Sequence, residues 1–298
     1  MVSQGHMTQT NGTDCWYETF GNKKNPSLLL LMGGFCQGIL WPTEFCEQLA
    51  SEGFYVIRYD YRDSGFSTCF DFQKDPYDLL DMAKDAVGLL NSLEIEKAHL
   101  CGLSMGGPIA ELMAIHFPTR VQSLTLIATS CDLRPCTAAF DKELVDDFPL
   151  PRPTEKYLTW IHSFLQKEPQ NESEKLEQRV EWWAVLNGSA ATFEEERYRE
   201  IHAEFLRRLK HPESLTNHLA AIKNSFQMII DAPFQVNIPT VVIHGTEDPI
   251  LMPIHGETLA NSIREAKFTL IEGFGHVPNC KFYPRFINEI KLIAQYAE

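Results

Sequence analysis

The sequence has no C-x-x-C pair, although it holds eight cysteines. Cys15, Cys36, Cys46, Cys69, Cys101, Cys131, Cys136 and Cys280 are scattered along the chain. That scatter argues against a metal knot or a redox motif. It reads as reduced, mostly buried thiols in the cytoplasm. Long apolar runs are missing too. The richest, Leu28-Leu29-Leu30-Leu31-Met32, is far too short to span a bilayer and reads as a buried strand. Residues 1–13 are polar, with no apolar stretch after a basic start, so no signal peptide is expected. Positive charge is scarce: 26 Lys and Arg stand against 40 Asp and Glu, for a net charge of −14. Such a chain repels phosphate backbones and anionic lipid, which excludes nucleic acid and membrane as expected partners.

What remains is ordinary globular material, 44% hydrophobic and 22% charged over 298 residues. Short apolar runs recur at Ser27–Met32, Tyr55–Tyr59, Ala98–Cys101, Ser123–Ala128, Thr240–His244 and Lys267–Ile271. Continuous apolarity of this kind marks strands covered on both faces. Helical patterns lie between them, over Trp41–Glu52, Leu79–Leu93 and Met105–His116. The alternation predicts an α/β fold, a mostly parallel central sheet with helices on both faces. It lapses over residues 132–231, where helical patterns cover Glu155–Lys167, Glu172–Leu186, Thr192–Lys210 and Pro212–Asp231. The expected organisation is a core of residues 1–131 and 232–298 interrupted by a helical insertion, 132–231.

One stretch carries chemistry. Gly102-Leu103-Ser104-Met105-Gly106 fits G-x-S-x-G between a predicted strand and a predicted helix, the context this motif requires. The glycines clear space around a serine on a strained turn, and the helix aims free N–H groups and its positive end at the site. A serine needs a base. His276, in "LIEGFGHVPN", follows the last predicted strand, where functional loops of such sheets gather. His244 also ends a strand but reads as structural, and His116, His162, His202 and His218 read as surface or packing residues. The base needs an acceptor to fix its tautomer. Asp248, in "HGTEDPI", is favoured because an Asp-Pro turn after a strand holds it well. Its neighbour Glu247 and the more distant Asp132 compete. An oxyanion needs backbone donors. Met105 supplies one, and the "LMGGFCQG" loop the other, through Gly34 with Phe35 in reserve. The charged residues of "YDYRDSGFST", Asp60, Arg62 and Asp63, read as loop-pinning rather than catalytic.

These motifs together resemble the α/β-hydrolase superfamily with a helical cap. "WP.EF...LA..G..VIRYD.RD.G.ST" and the serine segment resemble, more narrowly, the aclacinomycin methylesterase-type hydrolases, which cleave a methyl ester from a polyketide glycoside. The resemblance implies a Ser104–His276–Asp248 triad and an acyl-enzyme intermediate. Met32 stands where many superfamily members have histidine, and the cap segment matches least, so the substrate does not carry over. The expected protein is a cytoplasmic serine carboxylic-ester hydrolase acting on a small-molecule ester, with no cofactor and no metal, its oligomeric state left open. C–C bond hydrolases and cofactor-free perhydrolases share the triad, and a small-molecule receptor shares the fold. Epoxide hydrolases and dehalogenases need a carboxylate where this chain has serine. Tyr157, Trp160, Phe164, Trp182 and Trp183 are candidates to line the substrate site, although most are expected to hold the cap together.

Overall fold

The computed structural model describes residues 5–141, 144 and 148–297. Residues 1–4 of the polar N-terminal stretch, residues 142–143 and 145–147 of the helical insertion, and residue 298 lie outside these. Eight strands form one sheet: β1 His6–Thr10, β2 Thr13–Phe20, β3 Ser27–Leu31, β4 Tyr55–Tyr59, β5 Ala98–Leu103, β6 Val121–Ile127, β7 Thr240–Gly245 and β8 Lys267–Ile271. Their spatial order is β1-β2-β4-β3-β5-β6-β7-β8. β1 and β2 pair antiparallel, as do β2 and β4, and every later pairing is parallel. The six predicted strands are all present, and every residue of β3, β4, β5 and β7 is buried, as their mainly apolar runs require, whereas β8, at the sheet edge, leaves Lys267 and Leu270 exposed.

The first two strands were not expected. They form a hairpin whose two-residue turn is Asn11-Gly12, both with positive φ (49° and 78°), the turn that matches the twist of paired strands.

Helices α1 Thr43–Ser51, α2 Leu79–Ser92 and α3 Gly106–His116 follow the predicted pattern. Asp78 and Asp81 cap α2 reciprocally, each side chain accepting from the other's backbone N–H. α3 is buried from Gly106 through Ala114, the expected place for a helix apolar all round. Between β6 and β7 the described residues form only helices: α4 Arg134–Thr137, α5 Glu155–Phe164, α6 Glu172–Val185, α7 Glu195–Arg208, α8 Asn217–Asn224, α9 Phe226–Asp231 and short 3₁₀ turns. The single helix predicted over Pro212–Asp231 is broken at Ser225. Its hydroxyl donates to the Ala221 carbonyl and accepts from the Leu79 N–H at the start of α2, a side-chain alternative to helix continuation. α10 Pro253–Ser262 and α11 Tyr283–Tyr296 complete the chain. No helix among the described residues is long and apolar enough to cross a membrane.

The loop-pinning reading of the 60–63 segment holds. Asp60 accepts from the Gly38 and Phe66 backbones and from Arg208, Arg62 makes a two-bond pair with Asp85, and Asp63 accepts from Phe70, Tyr77 and Asn217. Arg208 and Asn217 belong to the helical segment, so these carboxylates also tie it to the sheet.

Candidate active site

Strand register explains why distant residues meet. Leu31 of β3 pairs with Gly102 of β5, Leu103 with Ile127 of β6, and Gly245 of β7 with Ile271 of β8. The loops beyond these positions therefore emerge along one edge of the sheet. Ser104 stands at that edge with φ of 52°, a strained left-handed conformation for a non-glycine residue. Its own backbone holds it there. The N–H donates to the Ile127 carbonyl at 3.0 Å, and the carbonyl accepts from the Gly107 N–H at 2.9 Å and the Thr129 hydroxyl at 2.8 Å. The flanking glycines are needed for close approach. A Cβ on Gly102 would lie 2.3 Å from the Gly106 oxygen, and one on Gly106 would lie 2.2 Å from the Leu31 oxygen.

His276 and Asp248 meet across the β7–β8 loops. His276 Nδ1 lies 2.7 Å from Asp248 Oδ2. Asp248 Oδ1 accepts from the Ile250 and Leu251 backbones, each at 2.9 Å. Both side chains are buried. Burial alone would raise the Asp248 carboxyl, but the His276 charge and hydrogen bonds from His244 and His276 outweigh it. The carboxyl is held well below its ordinary range and stays ionised. The backbone N–H of His276 donates to the Leu186 carbonyl at 2.8 Å, so the end of α6 anchors the histidine loop. Ser104 and His276 line one cavity, with Gly33, Gly34, Leu103 and Met105.

The competitors are engaged elsewhere. Asp132 forms a two-bond pair with Arg134, and Glu247 accepts from the backbone and hydroxyl of Ser189. His244, read as structural, is fully buried, donates to the Leu251 carbonyl and lies 3.4 Å from Asp248 Oδ2. It backs the acidic member of the site.

The two oxyanion candidates differ in how their N–H groups are engaged. A Cβ on Gly34 would lie 3.4 Å from Met105 Sδ, so the two loops touch. Among the described residues no acceptor takes the N–H of Gly34 or of Met105. Phe35, the reserve, is spent: its N–H donates to His218 Nδ1 at 3.1 Å, while His218 Nε2 donates to the Arg62 carbonyl at 2.8 Å. Burial lowers His218, which keeps the imidazole neutral and able to accept. Sequence reading missed this role, because a histidine 183 positions from its partner in a helical pattern gives no local signal. His218→Ala is expected to loosen the Gly34 loop and lower kcat about tenfold with little change in KM. Steady-state kinetics on a p-nitrophenyl ester measures that split.

Of the five aromatic candidates only Trp182 and Trp183 line the cavity. Tyr157, Trp160 and Phe164 pack ring against ring, at tilted angles, in a series that ends on Trp182 and hold the helical segment together.

Comparisons with known proteins agree with this architecture. The model of the alpha/beta hydrolase fold family matches residues 27–280. The rhodomycin D methylesterase DnrP of Streptomyces peucetius is 32% identical over 282 residues, 91% of each chain. The rhodomycin D methylesterase DauP of Streptomyces sp. (strain C5) is 31% identical over 273 residues, 88% of each. A hydrolase of Pseudomonas aeruginosa PA01 superposes with a TM-score of 0.73 over 98% of this chain and 99% of its own, at 23% identity, a likeness of fold. The chain belongs to the alpha/beta hydrolase fold family, and within it is similar to the rhodomycin D methylesterases.

Proposed function

We propose that this chain, a carboxylic-ester hydrolase, cleaves a methyl ester of a bulky, largely apolar acid through an acyl-enzyme on Ser104. Ser104 Oγ attacks the ester carbon while His276 takes its proton. Asp248 holds His276 in the tautomer that leaves Nε2 free to accept it. The N–H groups of Gly34 and Met105 take the developing oxyanion. His276 then protonates the departing alkoxide, and methanol leaves. A water deprotonated by His276 attacks the acyl-enzyme and frees the acid. The helical segment 132–231 acts as a cap that closes over the cavity and sets the acid it accepts. A reducing cytoplasm suits the eight cysteines, all unpaired.

The observation that carries this reading is the buried Asp248–His276 hydrogen bond sharing one cavity with a serine at positive φ. Similarity to two methylesterases supports the choice of a methyl ester. A fluorophosphonate probe is expected to label the protein at Ser104, located by peptide mass spectrometry. Labelled protein is expected to lose its hydrolysis of methyl esters graded by acid size. Labelling elsewhere, or methyl esters cleaved no faster than in buffer, sinks the assignment.

A further inference from the structure

Arg179, on α6 and half-buried, lines the cavity that holds Ser104 and His276. Apart from His276 the rest of that wall carries no ionisable cation or carboxylate and is mainly apolar, with Phe140, Trp182, Trp183 and Ile222 among its residues. A cation there is costly unless an anion answers it. Elsewhere this protein obeys that rule. The buried arginines Arg58, Arg62 and Arg208 each have a buried carboxylate of their own, Glu18, Asp85 and Asp60. Among the described residues Arg179 has none. Its Nε donates to His202 Nδ1 at 3.3 Å, and its guanidinium lies 3.7 Å above the Phe205 ring. Neither partner carries negative charge. Burial and the charge of Arg179 bring His202 down to about 2, so it accepts as a neutral imidazole. Burial pushes the Cys36 thiol, also in the cavity wall, up to about 12, so it too is uncharged. Burial lowers Arg179 itself only to about 10, which leaves it protonated at neutral pH. The fork is thus held on one edge and one face, while no acceptor among the described residues takes Nη1 or Nη2.

We propose that Arg179 is the anion-recognition group of the substrate cavity, and that the ester cleaved at Ser104 carries a second, acidic oxygen that takes the free Nη edge. The shared chemistry is an anionic oxygen, from a carboxylate or from an ionised phenol or enol. Arginine suits either, giving two bonds to a carboxylate or a charged bond to a single oxygen. This rests on reading Ser104 as the nucleophile, because only then do the reacting carbonyl and the anion share one cavity.

The test compares matched esters. One arm uses monomethyl esters of benzene-1,2-, 1,3- and 1,4-dicarboxylic acid against their neutral monoamides. The other uses methyl hydroxynitrobenzoates, ionised at the phenol, against their O-methyl ethers. In at least one pair the anionic member is expected to lead in kcat/KM by about 30-fold. Which arm responds names the source of the oxygen. Arg179→Gln is expected to bring that ratio near one, and Arg179→Lys to leave it between. If the neutral member leads in every pair, or the preference survives Arg179→Gln, the proposal is wrong. Should Arg179→Gln fail to fold, the wild-type ratios and Arg179→Lys decide. Calorimetry on the Ser104→Ala protein separates this proposal from the assignment of the nucleophile. Product acids bound by that variant at least tenfold more tightly than their amides support Arg179 even where no ester is turned over; equal binding overturns it.

Discussion

Ser104→Ala is expected to cut ester hydrolysis by about 10³-fold or more, with little effect on fold or on KM. The size follows from what the hydroxyl does. Without it His276 has no proton to accept, and Asp248 orients a base with nothing to activate. What survives is binding plus the two N–H donors, which alone give a small acceleration over water. The fold is spared because Ser104 is positioned by its backbone: the bonds to Ile127, Gly107 and Thr129 use the N–H and carbonyl, not Oγ. Alanine keeps all three and inherits the same positive φ. The variant also separates serine from rival nucleophiles in the cavity. Cys36 and Cys136 both line it, but burial pushes each thiol up to about 12, so at neutral pH neither is the thiolate that attack requires. The measurement is initial rate on a short p-nitrophenyl ester, with thermal melting as the control. An unmelted variant that retains a tenth of the activity removes Ser104 from the mechanism.

The parts of this molecule legible in its sequence are those whose signal is local. The strand β3 reads as Leu28-Leu29-Leu30-Leu31 because both faces are covered, and the elbow reads as G-x-S-x-G because only glycine fits beside the serine. That Asp248 and His276 come together is legible because strand ends of a parallel sheet share one edge, so chain order alone nearly decides their meeting. The N-terminal hairpin was missed although its signal is present. Asn11-Gly12 asks for a tight hairpin turn, but the flanking β1, "HMTQT", is an edge strand with mostly exposed side chains and no apolar periodicity. His218 and Arg179 were missed for a different reason. Each sits in an unremarkable helical pattern, and its meaning comes from a partner far along the chain or from the lack of one. Arg179 looks like any helix-surface arginine until the fold turns it into a cavity wall without a carboxylate.

Asp248→Asn is expected to lower kcat by about 10⁴-fold, whereas Asp132→Asn leaves it within about threefold. Both acids follow a strand at the same sheet edge, so the pair tests placement rather than chemistry. Asp248 uses one oxygen for the Ile250 and Leu251 N–H groups and the other for His276. An asparagine keeps its carbonyl on the two backbone donors, since its amide cannot accept from them. The NH₂ then faces His276 Nδ1. Two donors cannot meet, so the imidazole moves its proton to Nε2 and presents a donor, not a base, to Ser104. Ground-state binding is unaffected, so the loss falls on kcat. pH sharpens the comparison. Because the Asp248 carboxyl is held well below its ordinary range, its ionised form persists as pH falls past the unfolded value. Its contribution to stability is therefore full above the ordinary carboxylate pKa and is lost only as pH drops through the depressed folded one. Asp248→Asn removes that contribution, so its melting temperature should lie below that of the wild type at neutral pH and converge on it in strong acid. Asp132→Asn instead breaks the two-bond pair with Arg134, a partly exposed contact at the start of the helical segment, and is expected to cost about 1 kcal/mol without touching the rate. Stopped-flow turnover and pH-dependent melting on both variants decide the matter, and a rate lost in Asp132→Asn but kept in Asp248→Asn would transfer the acid to the other strand.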